Sequence, residues 1–216
     1  MSGPYCSILY RPTPYCTEPT LAVANRKVDR RTLKTRAALL SAFRDLVLSH
    51  GYSAVAVGDI IRRANIGRST FYLHFASKQT LLKHSLDVPC ARLAACVGGD
   101  VTPERMAPLL EHFRDQWHLN RVFFEYPIRS IWVRHLATLI GRKLRGNPAP
   151  SRESRVLPHS FVAAIIAEMQ IALITHWLRT AASVSPERIA TALLANTRAL
   201  LPTVAPGVAR HSTKVV

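Results

Sequence analysis

Acidic residues are scarce in this chain: 13 Asp and Glu stand against 29 Lys and Arg in 216 residues, a formal net charge of +16. An imbalance of that size argues against a cationic partner and favours a polyanion, either nucleic acid or an acidic membrane surface. Cysteine is also sparse. Cys6, Cys16, Cys90 and Cys96 form no CxxC pair and have no His at finger spacing, so neither a zinc site nor a disulfide framework is expected. Reduced thiols in a cytoplasmic protein are the simplest account. No apolar run reaches the roughly 18–20 residues of a membrane span. The longest, residues 161–178, is interrupted by Glu168, Gln170 and His176, so no membrane partner is expected. The N-terminus lacks the basic start and apolar middle of a signal peptide. There is no HExxH, GxSxG or Walker pattern, so the reading has no catalytic residue, no metal and no cofactor, and an enzyme is not expected. Strand-period segments of useful length and internal repeats are missing too, which leaves an all-α chain.

What remains is apolar and basic. Hydrophobic residues make up 48% of the chain, enough for a packed core. The positive charge is densest over residues 26–87, where twelve Lys and Arg face four Asp. Residues 88–201 carry fourteen against eight over nearly twice the length.

The first 25 residues contain four prolines and no period, and read as a disordered tail. Helical spacing begins near Thr32, with Leu33, Ala37, Leu40, Phe43 and Val47 on one face and Gly51 as the stop. Residues 56–64 and 68–74 read as two short helices joined by Asn65, Ile66 and Gly67. Ser77 is placed to cap a fourth helix running to about residue 88 or 89. Thr102, Pro103 and Glu104 form a helix start of hydroxyl cap, proline and carboxylate, for a helix expected to reach about Phe124. Further helices are expected over 128–144, 159–182 and from Ser185, Pro186 and Glu187 to about Leu201. A proline-rich loop spans 147–158, and residues past Pro202 read as a flexible tail.

The pair of short helices has the layout of a helix-turn-helix reader, in which the second helix enters the major groove. Arg68 suits a bidentate bond to guanine, or else is a solvated charge. Ser69 and Thr70 are short enough for close approach, and Thr70 offers a methyl to thymine. Tyr72 is placed for a phosphate oxygen or for packing. Lys78 at the next helix start suits a phosphate clamp. Phe71 and Phe75, four apart, should point inward. His74 reads as structural. Arg30, Arg31 and Lys34 fit either a phosphate or minor-groove arm or a solvated helix start. Arg62 and Arg63 suit a helix C-terminus on dipole grounds alone.

This region resembles the DNA-binding domain of the TetR family of transcriptional regulators. The resemblance rests on Ala37, Ala42, Phe43, Gly51, Tyr52, Asp59, Ile60 and Ala64, on the string from Ser69 to Phe75, and on Ser77 and Lys78 leading to Leu81 and Leu82. Two positions depart from it: Gly67 and Ala56 stand where hydroxyl residues are common. The resemblance implies an N-terminal three-helix domain over residues 26–88, with its helix-turn-helix at 56–75, and a larger helical effector-binding and dimerisation domain over 89–201. Double-stranded DNA, a small-molecule effector and a second copy of the chain are the implied partners. The implied function is a ligand-responsive repressor on a palindromic operator, with a sequence-nonspecific DNA coater or an activator as alternatives.

The helix at 159–182 is apolar nearly all round and should be buried on several sides. Phe161, Ile165, Leu173 and Trp177, with Ile189, Leu193 and Leu200 of the last helix, are the expected dimer interface; an intramolecular core is the alternative. Phe113, Trp117, Phe124, Trp132, Met169 and His176 are the expected lining of the effector pocket, or else core filling.

Overall fold

The computed structural model describes residues 30–146, 157–180 and 183–201. The tails expected at 1–25 and 202–216, with Cys6 and Cys16, and most of the loop expected at 147–158 lie outside the described residues. The described residues form helices with no strand among them, in two compact units that divide between Ser85 and Leu86.

The first unit holds α1 (Arg30–His50), α2 (Val57–Ala64), α3 (Arg68–His74) and α4 (Lys78–Ser85). Its core is Leu39, Ala42, Phe43, Val47, Val55, Ile60, Phe71, Phe75, Leu81 and Leu82. The buried stripe of α1 differs from the one its apolar spacing suggests. Leu33 is 43% exposed, and Ala37 and Leu40 are only half-buried. Each residue advances about 100° around a helix, so Leu40 is turned a quarter of the way round from Leu39. The packed line runs through Leu39, Ala42, Phe43 and Val47 instead. Gly51 ends α1 with φ +77°, its N–H donating to the Val47 carbonyl at 2.9 Å. Only glycine adopts that left-handed geometry without steric cost.

The second unit contains α5 (Asp87–Ala95), a 3₁₀ turn (Cys96–Gly98), α6 (Pro103–Asp115), α7 (Trp117–Asn120), a second 3₁₀ turn (Arg121–Phe124), α8 (Ile128–Gly146), α9 (His159–Thr180) and α10 (Pro186–Leu200). α9 packs on α8 and α10, α10 on α6, and α5 on α8. Buried Gln170 ties three of them together: its Nε2 donates to the Thr197 hydroxyl of α10 at 3.0 Å and to the Leu93 carbonyl of α5 at 3.3 Å. Such a satisfied donor in an apolar interior fixes the relative register of the helices.

Three helices depart from expectation. The helix starting after Ser77 stops at Ser85 and α5 begins at Asp87, so Pro89 falls in a first turn, where its missing N–H costs nothing. The helix starting at Pro103 stops at Asp115 rather than at Phe124. In an unbroken helix Phe113 and Phe124 would stand about 16 Å apart along the axis. The break at Gln116 lets their rings meet at 5.5 Å. Finally, α9 is long and apolar enough to cross a membrane, contrary to the sequence expectation. Glu168 is the one acidic residue in its middle, and Gln170 and His176 are the other two interruptions of its apolar run. Half of α9 is buried inside its own unit, the position of a core helix.

Candidate nucleic-acid interface

The supporting helix α2 is preceded by Ala56 at its N-cap, whose methyl offers no capping oxygen. Asp59 supplies the reciprocal half of a capping box: the Ala56 N–H donates to its carboxylate at 2.9 Å, and Arg62 adds an ion pair. That backbone N–H, then Arg62, hold the Asp59 carboxyl below its ordinary range. At the far end Asn65 turns left-handed, φ +52°, and the Ile66 N–H reaches back to the Ile61 carbonyl at 3.1 Å. Asparagine tolerates that conformation better than other non-glycine residues. Two backbone groups of α2 are satisfied, and the chain reverses into α3 within three residues.

α3 starts on an extended Gly67, whose carbonyl accepts from the Phe71 N–H at 3.1 Å. It ends at Phe75, back in extended geometry. Phe71 and Phe75 are both buried, with rings 6.2 Å apart, and His84 of α4 lies 5.6 Å from Phe75. These anchors leave the other side of α3 facing out. Arg68, Ser69, Tyr72 and Leu73 are exposed, while Thr70 and His74 are half-buried. The helix thus presents a guanidinium, a hydroxyl, a phenol and an apolar side chain on one face. Arg31 and Lys34 are exposed on α1, three residues apart and therefore on one side of it. Arg62 and Arg63 are paired with Asp59 and Asp45.

Lys78, expected as a phosphate clamp, is also bonded within the first unit. Its Nζ donates to the carbonyls of Tyr52, at 2.8 Å, and Val55, at 2.6 Å, and sits 4.3 Å from the centre of the Tyr52 ring. Burial lowers its pKa. Two of its three donors hold the segment between α1 and α2, so its first role is internal. Ser77 caps α4 as expected, accepting from the Thr80 N–H at 3.1 Å. At Thr102 the hydroxyl bonds the Glu104 carboxylate rather than a backbone N–H, and lowers that carboxyl's pKa.

In the second unit Phe113, Trp117, Phe124 and Trp132 form one aromatic cluster, with Phe124 and Trp132 centred 4.7 Å apart and Trp117 and Phe124 5.6 Å apart. His112 borders it, its imidazole pKa lowered by burial. Cys90 and Cys96 are buried, their thiols pushed up to about 12 chiefly by desolvation, so both stay protonated at neutral pH. Met169 and His176 are not on the cluster side. Helical periodicity sets them on the stripe of α9 that carries Phe161 and Ile165, and His176 is exposed.

The expected dimer residues divide as well. Phe161 is 54% and Ile165 37% exposed, and Leu173, Ile189 and Leu200 are half-buried. Trp177 and Leu193 belong to the unit's own core: Leu193 is fully buried, and the Trp177 indole donates to the Val184 carbonyl at 2.9 Å. An all-round apolar helix has a buried and an exposed apolar side, and spacing alone does not tell them apart.

Residues 39–84 match the model of bacterial regulatory proteins of the tetR family. A curated relative, an uncharacterized HTH-type transcriptional regulator of Bacillus subtilis (strain 168), is 39% identical over 69 residues, 32% of this chain and 18% of that protein. The dhaKLM operon transcriptional activator DhaS of Lactococcus lactis subsp. lactis (strain IL1403) is 36% identical over 53 residues, 24% of this chain and 28% of its own. The chain therefore spans less than a third of each curated relative it matches. The likeness to a solved structure runs further: the TetR transcriptional regulator from Streptococcus agalactiae 2603V is 26% identical, with a TM-score of 0.51, covering 78% of this chain and 96% of that one. Residues 39–84 thus carry a DNA-binding domain of the tetR type, and the wider fold is similar to that of a TetR transcriptional regulator.

Proposed function

We infer that this chain is a cytoplasmic DNA-binding regulator that acts as a homodimer on a palindromic operator and is released from it by a small molecule. The observation that carries the reading is the division of α3. Phe71 and Phe75 are spent on anchoring, which turns Arg68, Ser69 and Tyr72 outward on the most basic part of the chain. A slim polar face on an anchored helix suits the major groove. Arg68 offers a bidentate bond to guanine, Ser69 and Thr70 permit close approach, and Tyr72 with Arg31 and Lys34 offers phosphate contacts.

The outward stripe of α9, with Phe161 and Ile165, supplies the face for a second copy, with half-buried Leu173 at its margin and Ile189 and Leu200 of α10 as further contacts. Two-fold pairing would set two α3 helices about 34–36 Å apart, one DNA turn, or a multiple of it. The cluster of Phe113, Trp117, Phe124 and Trp132, with neutral His112 at its border, suits a largely apolar effector with a polar anchor. An effector acts only through its preference for the state that does not bind DNA. Repression is the simplest outcome of occupying a promoter. One relative is an activator by name, and activation is the second reading.

Titration of the full chain against genomic and random fragments at fixed, near-physiological salt tests this. A specific operator binds roughly 10³–10⁷ times tighter than random DNA. Equal affinity for all fragments, falling steeply with salt, would instead mean a nonspecific coater. Arg68→Ala costs about 1–3 kcal/mol and relaxes the preference at one base.

A further inference from the structure

Leu73 takes no part in the core of the first unit. It stands on α3 beside Tyr72 and four residues after Ser69, on the outward face, and is 82% exposed. Its neighbours Phe71 and Phe75 already provide the helix with its buried side. A single exposed leucine is ordinary on a protein surface. This one borders Ser69 on the outward face that also carries Arg68 and Tyr72, on a helix of seven residues. Whatever meets those three meets Leu73 as well.

We propose that Leu73 is a specificity-determining residue that reads the C5-methyl group of a thymine. This rests on the operator reading. In the major groove the edges of guanine, adenine and cytosine are read through polar atoms, and thymine alone adds a methyl group. A leucine brought to that surface against polar edges alone loses water from an apolar side chain and gains no contact. Against a methyl it buries one. Burying a single methyl-sized group is worth about fourfold in affinity. Thr70 is the other methyl-bearing side chain on α3, but it is half-buried.

The test begins by selecting the preferred duplex from a random library with the full chain. Each thymine of that duplex is then replaced in turn by deoxyuridine, which removes the methyl and leaves the pairing edge intact. Affinities are measured for the wild type, Leu73→Ala, Leu73→Met and Thr70→Ser. One thymine in each half-site should show a uridine penalty of about fourfold in the wild type. The penalty should vanish in Leu73→Ala and persist in Leu73→Met and Thr70→Ser. A penalty unchanged in Leu73→Ala, one lost in Thr70→Ser instead, or no sensitive thymine in a well-selected operator overturns the role of Leu73 and leaves the operator reading standing. A library that returns no preferred sequence overturns both.

Discussion

α3 and α9 both carry apolar residues on two sides, yet one was readable from the sequence and the other was not. α3 has seven residues, and its Phe71 stands four before Phe75, the residue that ends it. Once those are buried, every other position is assigned a direction. α9 has 22 residues and apolar groups around its whole circumference. Its buried line runs through Val162, Ala163, Ile166, Ile174 and Trp177, and its outer line through Phe161 and Ile165. A short helix with few apolar residues is specified by them; a long one with many is specified by its neighbours.

Phe71→Ala should have the largest effect, removing a fully buried ring at a cost of about 3–5 kcal/mol. Denaturation followed by circular dichroism would show it as loss of the first unit. The α9 contrast is sharper. Ile174→Ala should cost about 2–5 kcal/mol, whereas Phe161→Ala, on the outer line, should cost the monomer under about 1 kcal/mol. Equal costs in dilute, monomeric protein would erase the distinction between the two lines.

Lys78→Met should lower stability by about 1–3 kcal/mol, because two part-buried carbonyls lose their donor. It also separates the two roles of this lysine. A lost phosphate contact reduces the salt slope of DNA binding by about one unit; a purely internal clamp leaves the slope unchanged at temperatures where the variant is folded. The smallest effect belongs to Gly67→Ser. A Cβ at Gly67 would approach nothing nearer than the Thr70 hydroxyl at 3.8 Å. The added cap should stabilise α3 by a few tenths of a kcal/mol in thermal melts.

The helix-turn-helix was legible because its rules are local. Asn65 closes α2, Gly67 opens α3, and the Phe71 and Phe75 spacing sets the face, all within twenty residues. Asp59 was legible in principle, three residues after Ala56, at the position of a capping carboxylate. Lys78 was not, because its acceptors are the main-chain oxygens of Tyr52 and Val55, 26 and 23 residues earlier, and a carbonyl leaves no mark on sequence. The break after Asp115 was hidden for a related reason. Helical spacing continues through it, and only the meeting of Phe113 with Phe124 demands that the chain turn. At Trp177 and Leu193 the residue types were right for an interface and equally right for a core.

The bonds of Lys78 have a mechanical consequence. Its ammonium is a tie rod between the first turn of α4 and the segment that leads into α2. A pull on α4 is thereby delivered to the leading end of α2 through one side chain, and α3 follows three residues behind. The pair α2 and α3 is thus held to α4 at both ends, by Lys78 ahead of α2 and by the short link after α3.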